Sequence, residues 1–169
     1  MKHIVGVADM KISNQVGDEI ITFALGSCIG ITLYDPVARV GGMVHVMLPS
    51  SGIDPAKANA NPSMFVDTGV PRLFLESYKL GAVKNRLEVT AAGGACTNGS
   101  EDDDYFQIGK RNITILRKLL WKNGIVLAAN DMGGTAARTM ALQIGTGLVT
   151  IRSNGVVTAL NGDIPEAAT

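Results

Sequence analysis

Cys28 stands in Ala24-Leu25-Gly26-Ser27-Cys28-Ile29-Gly30, where an apolar run breaks at Gly26-Ser27. His45 follows seventeen residues later, in Gly41-Gly42-Met43-Val44-His45-Val46-Met47-Leu48-Pro49. The chain holds two cysteines and two histidines in all. A thiol with an ordinary pKa of ~8.5 is little ionised at neutral pH, and an imidazole beside it can take its proton and make it a nucleophile. The break at Gly26-Ser27 could also turn main-chain N–H groups toward an oxyanion. The competing reading is a small core thiol and a satisfied histidine between two valines. Composition alone favours that reading, because one cysteine and one histidine in a chain are commonplace.

Whether the two meet depends on the segment between them. Two alternating runs flank Asp35-Pro36-Val37-Ala38, and Asp then Pro is the signature of a type I turn. If Asp35 faces Ala38, then Arg39 opposes Tyr34, Met43 opposes Gly30 and His45 opposes Cys28. Residues directly opposite share a face, with Cβ atoms about 4.5–5.5 Å apart. Type I turns fit the strand twist poorly in two-residue hairpins, and a bulge would flip the register. A base also needs an orienter to hold its tautomer. Asp35 lies too far along the hairpin for that. Thr22 is six residues before Cys28. On a straight strand that is about 20 Å, so Thr22 reaches the site only if the chain bends at Gly26.

The elements that must position these residues are short. Strand-like segments fall at about 2–8, 19–25, 28–34, 41–48, 86–92, 125–129, 139–144, 147–152 and 155–160, bounded by Gly, Asn or Asp. The last three, joined by Gly-Thr-Gly and Ser-Asn-Gly, read as an antiparallel meander. One helix lies within 63–80 and stops at Gly81, with Pro71 starting or kinking its regular part. A second runs over 110–123, with Ile113, Leu116, Leu120 and Trp121 near helical spacing and Gly124 as its stop. Hairpins outnumber crossovers, which gives a single-domain α/β sandwich with mixed, largely antiparallel sheets.

Composition narrows the function. The chain has 169 residues, 46% of them hydrophobic, and fifteen basic residues balance fifteen acidic ones. It suits one domain, and nothing in its charge points to nucleic acid. The acidic run at 100–106 reads as a solvated loop. No apolar stretch reaches the ~18–20 residues of a membrane span, and the N-terminus reads as a strand rather than a signal peptide. The expected compartment is the cytoplasm, where a Cys28–Cys96 disulfide is disfavoured.

Several words, taken together and in order, resemble one family. Thr22-Phe23-Ala24-Leu25-Gly26-Ser27-Cys28, the His45-Val46-Met47-Leu48-Pro49 word, Gly93-Gly94-Ala95, Gly109-Lys110-Arg111-Asn112 and Gly133-Gly134 with Arg138 are similar to those of the CheD chemoreceptor glutamine deamidases. The resemblance implies a cysteine hydrolase without cofactor or metal, on a layered fold like that of the cytotoxic necrotizing factor toxins. It implies conversion of glutamines of methyl-accepting chemotaxis receptors to glutamates with release of ammonia, and in some members hydrolysis of glutamyl methyl esters. Carried over by position, Cys28 is the nucleophile, His45 the base and Thr22 its orienter. Ser27, Gly93 and Gly94 are candidates for substrate or oxyanion contacts. Turn geometry, capping and an internal ion pair compete for the glycine words, Asn112 and Arg138. Cys96 reads as structural.

The implied partners are the cytoplasmic helices of receptors, as substrate, and a CheC-type phosphatase. The deamidase domain is expected over 3–160, with a flexible tail at 161–169. Three features depart from the family pattern: Ala24 where Gly is common, Thr90 where Lys is common, and a long loop at 96–107. Two other readings stay open, a regulatory partner of receptors or of CheC with little catalysis, and a cysteine amidohydrolase acting on another protein.

Overall fold

Ten strands and three α-helices make up the computed structural model, which describes residues 1–97 and 106–164. The strands are β1 (Lys2–Val5), β2 (Asp9–Ser13), β3 (Glu19–Leu25), β4 (Ile29–Asp35), β5 (Val40–Val46), β6 (Glu88–Gly93), β7 (Leu127–Met132), β8 (Arg138–Gln143), β9 (Val149–Ser153) and β10 (Val156–Asn161). The helices are α1 (Pro55–Ala60), α2 (Val66–Lys79) and α3 (Ile108–Lys122). The strands form two five-stranded sheets, ordered β1-β3-β8-β9-β10 and β2-β5-β4-β6-β7. Among the described strands, β1–β3 and β6–β7 pair in parallel and the rest antiparallel. The expected meander is present as β8-β9-β10.

The second sheet is the middle layer. Ile31, Leu33, Val44 and Val46 pack on one side against Val70 and Leu73 of α2 and Leu116 and Leu120 of α3. On the other side Met43 and Ala92 meet Ile20, Leu25, Met140 and Leu142 of the first sheet. Every residue of β4 and β5 is therefore buried. At roughly 1.5–3 kcal/mol per large buried side chain, these two strands anchor the whole domain, and His45 sits on one of them.

Three expectations need correction. The segment 2–8 is not one strand. Ala8 takes a left-handed φ of 57°, Asp9 accepts from the Gly6 N–H at 3.4 Å, and the chain restarts as β2 on the other sheet. The short helix α1 lies where the sequence reading had none, capped by Asp54 on the Lys57 N–H with Pro55 at its first position. Trp121 is 80% exposed, whereas Asn112 shares the buried stripe of α3 with Leu116 and Leu120. Of the expected tail, residues 165–169 lie outside the described residues, as do 98–105 of the acidic loop.

Candidate active site

The hairpin register differs by two residues from the expectation. Asp35 pairs with Val40, not Ala38, so His45 lies opposite Gly30 rather than Cys28. The cause is the Asp35 carboxylate, which accepts from the Val37 and Ala38 N–H groups at 2.9 and 3.0 Å. Arg39, at φ 53°, then closes a four-residue loop in the left-handed region. Burial pushes the Asp35 carboxyl up, but the Arg86 guanidinium and the Ala38, Val83 and Val37 N–H groups outweigh it and hold the pKa at about 2. A slip of two keeps each side chain on its face. Cys28, one residue before β4, packs against the cluster between the two sheets, the side of the second sheet on which His45 meets Thr22.

Thr22 comes to them from the other sheet. Ala24 adopts φ 58°, the Gly26 N–H donates to the Ala24 carbonyl at 3.0 Å, and the ladder with β8 shifts between Thr22 and Leu25. This is the bend that the sequence required, and the left-handed Ala24 explains why glycine suits that position. Thr22 is fully buried, and its hydroxyl lies 2.7 Å from the Val5 carbonyl and 2.7 Å from His45 Nδ1. A carbonyl oxygen only accepts, and a hydroxyl carries one proton. Thr22 therefore donates to Val5 and accepts from His45, which puts the imidazole proton on Nδ1. Nε2 is left with a lone pair; it is buried and has no hydrogen-bond partner.

Burial lowers the His45 pKa and raises that of the Cys28 thiol, the latter partly countered by the cysteine's own N–H. Both shifts favour the neutral forms of the two groups. The arrangement suits a base that takes the proton as the sulfur attacks.

The other candidate residues have structural partners. The Gly94 N–H donates to the Cys28 carbonyl at 2.9 Å and the Ala95 N–H to the Gly26 carbonyl at 2.8 Å. Gly94 thus spends its N–H on the main chain of the cysteine segment. A Cβ on Gly93, at φ 112°, would fall 2.2 Å from the Cys28 carbonyl oxygen, so only glycine permits this approach. Arg138 pairs with Asp131 at 3.1 Å and donates to the Gly133 carbonyl at 2.8 Å, the internal ion pair that the sequence left as one option. Cys28 and Cys96 are not disulfide-bonded. Ser27 is half-buried, and its carbonyl accepts from Asn112 Nδ2 at 2.9 Å. Asn112 was legible as the end of the Gly109-Lys110-Arg111-Asn112 word, with capping as the alternative; its position one turn before Leu116 on an apolar stripe was the stronger signal.

Among the described residues no three His, Cys, Asp or Glu side chains gather as a metal site, and no helix is long and apolar enough to cross a membrane. Thr22 and His45 are hydrogen-bonded across the seam between the two sheets, and Cys28 packs against the cluster that fills that seam. The chain belongs to the CheD family, whose model, described as CheD chemotactic sensory transduction, matches residues 47–153. It is 47% identical over 163 residues to a probable chemoreceptor glutamine deamidase CheD of Solibacter usitatus, covering 96% of this chain and 95% of the relative. A Syntrophus aciditrophicus relative, probable chemoreceptor glutamine deamidase CheD 1, is 46% identical over 152 residues, covering 90% and 94%. One from Thermococcus kodakarensis with the same printed function is 41% identical over 155 residues, covering 90% and 94%. The family-model match begins two residues after His45.

Proposed function

We propose that this protein is a protein-glutamine deamidase of chemoreceptors, with Cys28 as nucleophile, His45 as base and Thr22 as the residue that orients His45. The observation that supports this most is the Thr22 hydroxyl, which accepts from His45 Nδ1 and so leaves Nε2 as the proton acceptor. Cys28 Sγ attacks the side-chain amide carbon of a receptor glutamine while its proton passes to Nε2. Collapse of the tetrahedral intermediate breaks the C–N bond, and the His45 imidazolium returns the proton to the departing ammonia. Water, deprotonated by His45, then attacks the thioester and releases glutamate and the thiol. Glutamyl methyl esters would follow the same path with methanol as leaving group. Ser27 is the candidate donor to the substrate oxygen, and Gly93 and Gly94 serve by holding the cysteine segment.

The protein acts in the cytoplasm under this reading, on the cytoplasmic helices of its receptors, with a CheC-type phosphatase as a further partner. The test is incubation of the purified protein with receptor cytoplasmic fragments. Ammonia release and a gain of about one dalton per event, as amide NH₂ becomes OH, are expected. Cys28→Ala is expected to abolish both. Equal mass shifts from the wild type and Cys28→Ala would remove the catalytic assignment.

A further inference from the structure

We infer that Asn112 is a positioning residue that clamps the cysteine segment to the histidine strand; the inference rests on the proposed pairing of Cys28 with His45. Asn112 is fully buried on the face of α3 that packs against the second sheet. Its Nδ2 donates to the Ser27 carbonyl at 2.9 Å and to the Met47 carbonyl at 3.2 Å. Since both partners can only accept, the amide orientation is fixed.

The two carbonyls lie at telling places. Ser27 immediately precedes Cys28, and Met47 is two residues after His45. The last rung of the β4–β5 ladder is Ile29 with Val46, so Met47 and, past Cys28, Ser27 lie just beyond it. The Met47 N–H is turned away to the Met64 carbonyl. The two protons of Asn112 Nδ2 bridge these segments where the ladder stops, the one leading into Cys28 and the other following the strand of His45.

The helix is brought close enough to do this by Gly109, one turn earlier. A Cβ there would fall 2.6 Å from both the Ala95 and the Gly94 carbonyl oxygens. Asn112 also leaves its own Oδ1 buried without a hydrogen bond. An orphaned buried acceptor costs stability, so the amide is better explained by what its two donors hold than by a contribution to the core.

The test needs no receptor. Alkylation of Cys28 by iodoacetamide is followed at pH 7.5 on the full chain, with peptide mapping to separate Cys28 from Cys96. Asn112→Asp keeps the shape and removes both donors. With His45 present, the Cys28 rate is expected to fall about tenfold, as misplacement of reacting groups does. In a His45→Ala background, where there is no base to align, the same change is expected to leave the rate within about twofold. Asn112→Leu, which buries no charge, is held to the same two rates should the carboxylate prevent folding.

On receptor fragments the loss should fall on kcat with KM unchanged. An unchanged rate with His45 present, or equal acceleration in both backgrounds as from a merely loosened loop, would overturn the clamp alone. If His45→Ala by itself leaves the Cys28 rate unaltered, the Cys28–His45 pairing fails and the clamp falls with it.

Discussion

The chain's two histidines are each held by one short side-chain contact, but to chemically different partners. His3 Nε2 lies 2.8 Å from the Asp18 carboxylate at the sheet edge, and that carboxylate also takes Ser13 Oγ at 2.6 Å and the N-terminal ammonium at 3.0 Å. These donors, Ser13 foremost, hold the Asp18 carboxyl well below the usual carboxylate range. Among the described residues no carboxylate bonds His45: Asp9 stands opposite it in the β2–β5 ladder, but its carboxylate accepts from the Gly6 and Met10 N–H groups. His45 Nδ1 bonds a neutral hydroxyl in a fully buried layer, and the other ring nitrogen is bare. The first cluster fixes a terminus through charge; the second keeps an imidazole neutral and its lone pair available.

The comparison breaks most sharply under exchange of each ring for an amide. His45→Gln is expected to lower kcat for receptor deamidation by about 10³-fold, within the range for loss of a general base. His3→Gln should leave kcat within about twofold, because His3 is held at the Asp18 carboxylate, away from the Thr22–His45 pair. A comparable loss from both would show that folding, and not proton transfer, had been measured.

Thr22→Val comes next. The valine keeps the shape but leaves Nδ1 and the Val5 carbonyl without their partner, so the tautomer is no longer fixed. Activity should fall about 10- to 100-fold, and stability by about 1–3 kcal/mol for the buried groups left unpaired. Parallel kinetics and chemical denaturation would measure the two. A stability loss with full activity would relieve Thr22 of its orienting role.

The pH profile sharpens the contrast further. His45 must be neutral to accept a proton, and burial lowers its pKa. The acid limb of kcat/KM is therefore expected below the ordinary histidine value of about 6.5. A limb at or above that value would mean that His45 meets an anion in the working enzyme.

How much of this was legible in sequence follows from which interactions are local. The meander and the two long helices were readable because turn residues and apolar spacing act within a few positions. The face shared by Cys28 and His45 was also readable, because a slip of two preserves it. The register itself was not, since it was set by Asp35 bonding its own following N–H groups and by a left-handed Arg39. The pattern behind α3 misled at Trp121 and concealed Asn112, whose burial depends on carbonyls 85 and 65 residues away. Thr22 required a bend that only the left-handed Ala24 and the close approach of Gly93 to Cys28 make possible.

Acid unfolding offers the smallest effect and separates the two histidine clusters by pH window. His45 is harder to protonate folded than unfolded, so the unfolded chain binds the proton first as pH drops below about 6.5. Stability should decline from there toward the lowered folded value, and His45→Gln should flatten that part of the curve. Asp18 works in the opposite sense of charge. Its folded carboxyl holds its proton less readily than the unfolded one, so its contribution is present at neutral pH and is lost only as pH falls below about 4. Asp18→Asn should therefore lower the denaturation midpoint at pH 7, and its gap to wild type should close as pH falls below about 4. Denaturant melts of the three proteins at pH 7, 5 and 3 would read both windows. A wild-type curve flat from pH 7 to 5 would mean that His45 is solvated well enough to take a proton where it lies, and the neutral base inferred from its burial would be lost with it.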